Sequence, residues 1–214
     1  MTKFEELPKE TPIFPLSNFI IFPEQAVPLN IFEPRYIQMI DDCMKSNKLI
    51  GMIQPKKTGE LNKPDLYNVG CIGKITSFNK TNDERYLVVI NGISRFNIIK
   101  EILTKKLYRI FEINYTNFTN DIIEKKENIH FSDLKLIFKD LKNIFEKKGF
   151  IIDWSKLKNQ DLNQIINALS MASPFSLEEK QILLESIDIK SRKYKLEEIL
   201  KSYIVDKFSN TTLQ

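Results

Sequence analysis

The first half of the chain carries short, β-branched apolar runs bounded by turn residues, whereas apolar residues in the second half recur every three or four positions. The runs predict seven short strands over 13–16, 26–31, 49–54, 69–78, 85–91, 94–102 and 107–115. Asn79–Glu84 reads as a polar hairpin tip, and Asn91-Gly92, between two apolar runs, as a tight turn. Pro23 and Pro28 suit edge or entry positions, because proline cannot donate to a ladder. Short strands separated by frequent turns imply a small closed or half-closed β-barrel.

One helix interrupts the strands. Pro34 fits a first helical turn, where its missing N–H costs nothing, and Tyr36, Ile37, Ile40, Cys43 and Met44 follow at helical spacing. Asn47 or Lys48 ends it. In the second half, Ser132 is placed to cap a helix with a stripe of Leu134, Ile137, Phe138, Leu141, Ile144 and Phe145, stopped by Gly149. Leu162, Ile165, Ile166 and Leu169 mark the next. Ser176 and Glu179 form a capping box for a third, through about Ile187, and a fourth covers roughly 191–208. The expected architecture is α+β: a β-rich part over 1–118 and a helical bundle over 119–214.

Punctuation supports the division. Of nine prolines, all but Pro174 lie within the first 64 residues; of six glycines, all but Gly149 precede residue 93. Hydrophobic residues make up 42% of the chain, enough for a packed core. The apolar runs, such as LVVI at 87–90, are far short of the ~20 residues that span a bilayer. Three acids in MTKFEELPKE argue against a secretory signal, so a cytoplasmic protein with no membrane partner is expected.

Charge and motifs narrow the chemistry. The 32 basic and 28 acidic residues are spread evenly over both halves, so nucleic acid is an unfavoured partner. Cys43 and Cys71 lack CxxC spacing and His130 is the only histidine, which leaves no metal site and no cofactor to expect. There is no GxxxxGK[ST] loop and no G-x-S-x-G. Gly70-Cys71-Ile72-Gly73 contains the GxxG of KH modules, but strand-type residues flank it, so a bend or close backbone approach is the better reading. Asp41 and Asp42 are adjacent on the helix and point to different azimuths, so they do not form a dyad. No catalytic residue is assigned, and the chain does not read as an enzyme.

Residues 12–44, "PIFPLSNFIIFPEQAVPLNIFEPRYIQMIDDCM", resemble the opening of the Lon protease N-terminal domain, with its P-L-x-I-F-E-P-R-Y block. The similarity continues in order through Ile50-Gly51-Met52, then Leu66 to Ile75, then Arg85-Tyr86 and Asn91 to Phe96. SPFSLEEKQILLES resembles the helical part of the same family. The resemblance implies a PUA-like pseudo-barrel of about six strands with an inserted helix, followed by helices. It also implies a non-catalytic module that recognises unfolded or extended protein segments and is linked to Lon-type proteolysis, with Lon itself a candidate partner. Because the chain stops where an ATPase would begin, it is similar to stand-alone Lon-substrate-binding-domain proteins of bacteria. A PUA-like RNA-binding protein is the alternative reading.

The junction PLNIFEPRY carries the candidate site. Glu33 and Arg35 have two readings: a clamp for charges on a bound peptide, or chemistry of the strand–helix joint. The joint reading pairs Glu33 with Arg95 and groups both with Pro34, Gly70 and Gly92 as structural residues. Phe32, Tyr36 and Met39 occupy several azimuths around the junction, so they and Arg35 are the candidates for a peptide-binding groove. The core reading places Phe14, Phe22, Phe96 and Phe111 inside.

Overall fold

The structure, a computed structural model, describes residues 7–60, 63–122, 135–147 and 161–210. Six strands form one sheet: β1 (Glu10–Pro15), β2 (Ala26–Ile31), β3 (Leu49–Glu60), β4 (Lys63–Lys80), β5 (Tyr86–Ile102) and β6 (Arg109–Asn114). The order is β2-β5-β4-β3-β1-β6, and β6 pairs again with β5, which closes the sheet into a pseudo-barrel. β5 is long enough for two partners. Its first half pairs with β2, from Tyr86↔Ile31 to Asn91↔Ala26, and its second half with β6, from Asn97↔Asn114 to Ile102↔Ile110. β1 runs parallel to β3 and antiparallel to β6. Buried Ile13, Ile53, Ile72, Phe96, Phe111 and Ile113 fill the interior. Phe14 and Phe22 are also buried, as expected.

Two of the seven expected strands are one. Asn91-Gly92 is not a hairpin turn, because β5 runs straight through it. Opposite β4 the register slips from Ile72↔Ser94 to Gly73↔Gly92, which is a bulge at Ile93. Here glycine is required by space. A Cβ on Gly92 would lie 2.2 Å from the Phe22 carbonyl oxygen. That close approach lets the Gly92 N–H donate to the Gln25 carbonyl at 2.9 Å and the Glu24 N–H to the Gly92 carbonyl at 3.0 Å. Gly70 plays a similar part, since its Cβ would sit 2.5 Å from the Met52 carbonyl oxygen. β3 and β4 also run well past their expected ends, paired from the buried Pro55↔Leu66 out to Glu60↔Lys63 as a two-stranded arm whose outer part is exposed.

Helix α1 (Pro34–Met44) starts with Pro34 in its first turn and buries Tyr36, Met39, Ile40 and Cys43. Its outer side is tied to the sheet by polar contacts. The Tyr86 hydroxyl donates to Asp41 at 2.8 Å. Asp42 accepts from the Tyr108 hydroxyl at 2.8 Å and from the Lys106 ammonium at 2.7 Å. The adjacent acids therefore serve different partners.

The chain divides into two units, Met1–Glu124 and Lys125–Gln214. The 3-10 helix Thr116–Asp121, which contains residue 118, stays with the β unit and packs on β5. The second unit holds α2 (Lys135–Lys147), α3 (Leu162–Ala172), α4 (Leu177–Glu185) and α5 (Ile189–Asn210), with α5 packed on the other three. The α4 capping box forms in both directions: the Ser176 hydroxyl accepts from the Glu179 N–H, and Glu179 accepts from the Ser176 N–H. Ser132, Leu134, Gly149 and the side chains of Ile144 and Phe145 lie outside the described residues. Among the described residues, no helix is long and apolar enough to cross a membrane.

Candidate functional site

Proline at the first turn sets where α1 begins, and Glu33 caps it through its backbone. The Glu33 carbonyl accepts from the N–H groups of Tyr36 and Ile37, both at 2.9 Å, while its carboxylate makes no capping bond. The carboxylate turns instead to Arg35, at 3.0 Å from Nε and 2.9 Å from the terminal nitrogen. The Arg35 guanidinium lies 4.6 Å above the centroid of the Tyr36 ring. That ring meets Phe14 edge-on at 4.5 Å. Burial among these groups raises the Tyr36 hydroxyl above its ordinary pKa.

The expected Glu33–Arg95 pair is corrected by this geometry. Arg95 is 2% exposed in the middle of β5 and holds Asp121 of the 3-10 helix. Its Nε and terminal nitrogen donate to the two oxygens of that carboxylate at 2.8 and 2.7 Å, and its backbone N–H donates at 2.9 Å. Phe118 covers the guanidinium, with its centroid 4.4 Å away. A buried guanidinium needs a carboxylate that is buried with it, and Glu33 stays at the surface.

The other candidates separate. Met39 is fully buried, so it presents nothing to an incoming chain. Phe32 is 62% exposed and stands beside Arg85. Arg35 and the edge of Tyr36 line a cleft of about 260 Å³ between α1, β1, the start of β4 and the β5–β6 loop. Phe32 is not part of that lining.

The cleft has an apolar mouth and a charged floor. Leu103 and Leu107, in the β5–β6 loop, are 94% and 61% exposed. The loop is pinned from below: the Leu107 N–H donates to the Gln38 side chain at 2.9 Å, next to the ties from Lys106 and Tyr108 to Asp42. On the floor, Arg109 grips Glu101 through two parallel bonds of 3.0 Å and donates to the Pro64 carbonyl at 2.7 Å. Lys63 approaches the same carboxylate at 3.4 Å.

The titratable groups are tuned away from neutrality. The Arg109 hydrogen bond holds Glu101 below its ordinary value, and the Lys106 hydrogen bond does the same for Asp42. Burial, then the bond to Asp42, pushes the Tyr108 hydroxyl far up. A general acid or base works best with a pKa near the operating pH, so these shifts favour holding over proton transfer. Sequence reasoning missed Leu103, Leu107, Glu101 and Arg109. The available signal was "ILTKKLYR", where leucines flank a polar turn that leaves them no interior to enter.

Together these features define an α+β protein whose six-stranded pseudo-barrel carries a cleft beside its inserted helix. The chain belongs to the family described as the ATP-dependent protease La (LON) substrate-binding domain, whose model matches residues 10–202. The Lon protease of Syntrophus aciditrophicus is 28% identical over 201 residues, which cover 89% of this chain and 25% of that protein. That of Dictyoglomus thermophilum is 24% identical over 204 residues, 92% of this chain and 25% of that protein. The chain thus spans about a quarter of the length of these curated relatives. In fold it is similar to the crystal structure of the Lon N-terminal domain protein from Xanthomonas campestris. There the TM-score is 0.62 at 18% identity, over 90% of this chain and 97% of that one. The N-terminal domain of Mycobacterium avium complex Lon protease gives the same TM-score at 15% identity, over 90% and 98%.

Proposed function

We propose that this chain binds unfolded or extended protein segments in the cleft beside α1, without catalysis of its own, as a recognition element of Lon-type proteolysis. The observation that carries this reading is the pair of leucines held out at the cleft mouth. A leucine that buries its side chain against a partner gains about 1.5–3 kcal/mol, and Leu103 leaves nearly all of its surface available for that. The polar ties beneath the loop keep both leucines presented, so little ordering is needed on binding. Arg35 and Tyr36 keep the role expected for them at the cleft wall. RNA is the weaker reading, because the Tyr36 ring at the cleft wall carries Arg35 on one face and has Phe14 against it, which leaves it no open face for a base to stack on.

Fluorescence anisotropy with a reduced, carboxymethylated unfolded protein tests the reading. Saturable binding is expected, and Leu103→Ser with Leu107→Ser should weaken it by roughly tenfold or more. Both side chains are exposed, so the variant should keep the wild-type circular dichroism spectrum. Unchanged affinity in a folded variant would move the site elsewhere, and no binding by the wild type would remove the function.

A further inference from the structure

The charges that line the cleft are unequal in sign. Arg35, Lys63, Lys106 and Arg109 face it, and among the described lining residues Glu101 is the single carboxylate. Glu33 and Asp42, which pair with Arg35 and Lys106, are not part of the lining. Glu101 itself is shared between Arg109 and Lys63. The lining thus offers an incoming chain four cationic side chains and one carboxylate beside the exposed Leu103 and Leu107.

Resting on the reading that the cleft takes an extended segment, we propose that it selects acidic-apolar segments, in which a large aliphatic or aromatic side chain is flanked by Asp or Glu. The Lys63 and Lys106 side chains are 55% and 45% exposed. Each ammonium has three donors, and one carboxylate does not exhaust them. A ligand carboxylate can join either one without displacing its present partner. The apolar side chain then lies on the leucines. A basic segment would bring like charges together in a partly enclosed space, where screening is weaker than on open surface.

A protein segment fits this lining better than single-stranded RNA. Base stacking needs an open aromatic face. The Tyr36 ring carries Arg35 on one face and has Phe14 against it, and the exposed rim is aliphatic.

The test uses the whole chain and fluorescein-labelled peptides of roughly twelve residues that share their Leu and Phe positions, with Glu, Gln or Lys between them, and an oligouridine RNA of similar length. Anisotropy at about 50 mM salt should rank Glu above Gln above Lys, with at least a tenfold span that narrows at about 300 mM. Lys63→Glu should shrink the span at least threefold, with the Glu peptide losing more affinity than the Gln peptide; an equal loss for both would overturn the charge selection. Equal binding of all three peptides, or a preference for Lys, would overturn the selectivity and leave the binding reading standing. Failure of every peptide and of the unfolded protein would overturn both. RNA binding tighter than the Glu peptide would replace the protein ligand with a nucleic acid.

Discussion

Arg95 and Arg35 are both arginines beside a carboxylate, and burial separates their roles. Arg95 is closed in by Asp121 and Phe118, whereas the Arg35 side chain is 35% exposed and its partner Glu33 44%. Removing one partner of a buried pair strands the other charge, at a cost of about 3–5 kcal/mol, while an exposed pair contributes at most about 1 kcal/mol. Asp121→Asn should therefore lower the urea midpoint sharply, and Glu33→Gln should leave it almost unchanged. Equal, small effects would mean that the latch is not what holds the 3-10 helix to β5. The sequence pointed to Arg95 as a joint residue but to the wrong acid. Glu33 was attractive because it sits in a dense motif. Asp121 lies 26 residues beyond Arg95, in a polar run that no periodicity marks, so only the closed sheet brings it near.

At the scale of elements, local pattern was a good guide wherever a local cause was sufficient. Proline started α1, and Ser176 and Glu179 started α4, through bonds made within one turn. Asn91-Gly92 misled because the same dipeptide suits two geometries. A hairpin needs glycine for its positive φ; a bulged strand under a crossing carbonyl needs glycine for lack of a side chain. What decides between them is Phe22, about seventy residues earlier. Gly92→Ala is expected to force that carbonyl away and to destabilise the protein by about 1–3 kcal/mol or more, measured by denaturant unfolding. A turn residue at positive φ would be rescued by asparagine. Here Gly92→Asn should be at least as damaging as alanine, and rescue by asparagine would restore the hairpin reading.

For the whole molecule, the sequence distinguished a turn-rich part from a breaker-poor one, and the structure has a β unit and a helical unit. The pseudo-barrel was legible through its family motifs. Its cleft was not, because the lining comes from α1, β1, β4, β5, β6 and the β5–β6 loop, each ordinary by itself. The two cysteines report on the integrity of the β unit. Both are buried, and burial lifts the Cys43 thiol to about 12 and Cys71 further. At pH 8 a disulfide reagent should label both far more slowly than in urea, and both should become reactive at the same denaturant concentration, since the thiolate is the reactive form and burial disfavours it. Fast labelling of Cys43 alone would show that α1 lifts off the sheet independently.

The placement of β1 has a consequence during synthesis. The strand nearest the start of the chain lies between β3 and β6, so one of its edges waits for residues about a hundred positions later. At about 5–20 residues per second, the ribosome leaves that edge unpaired for roughly 5–20 seconds. Throughout that interval the nascent polypeptide offers a strand to any neighbour emerging alongside it, until β6 arrives and takes the vacancy.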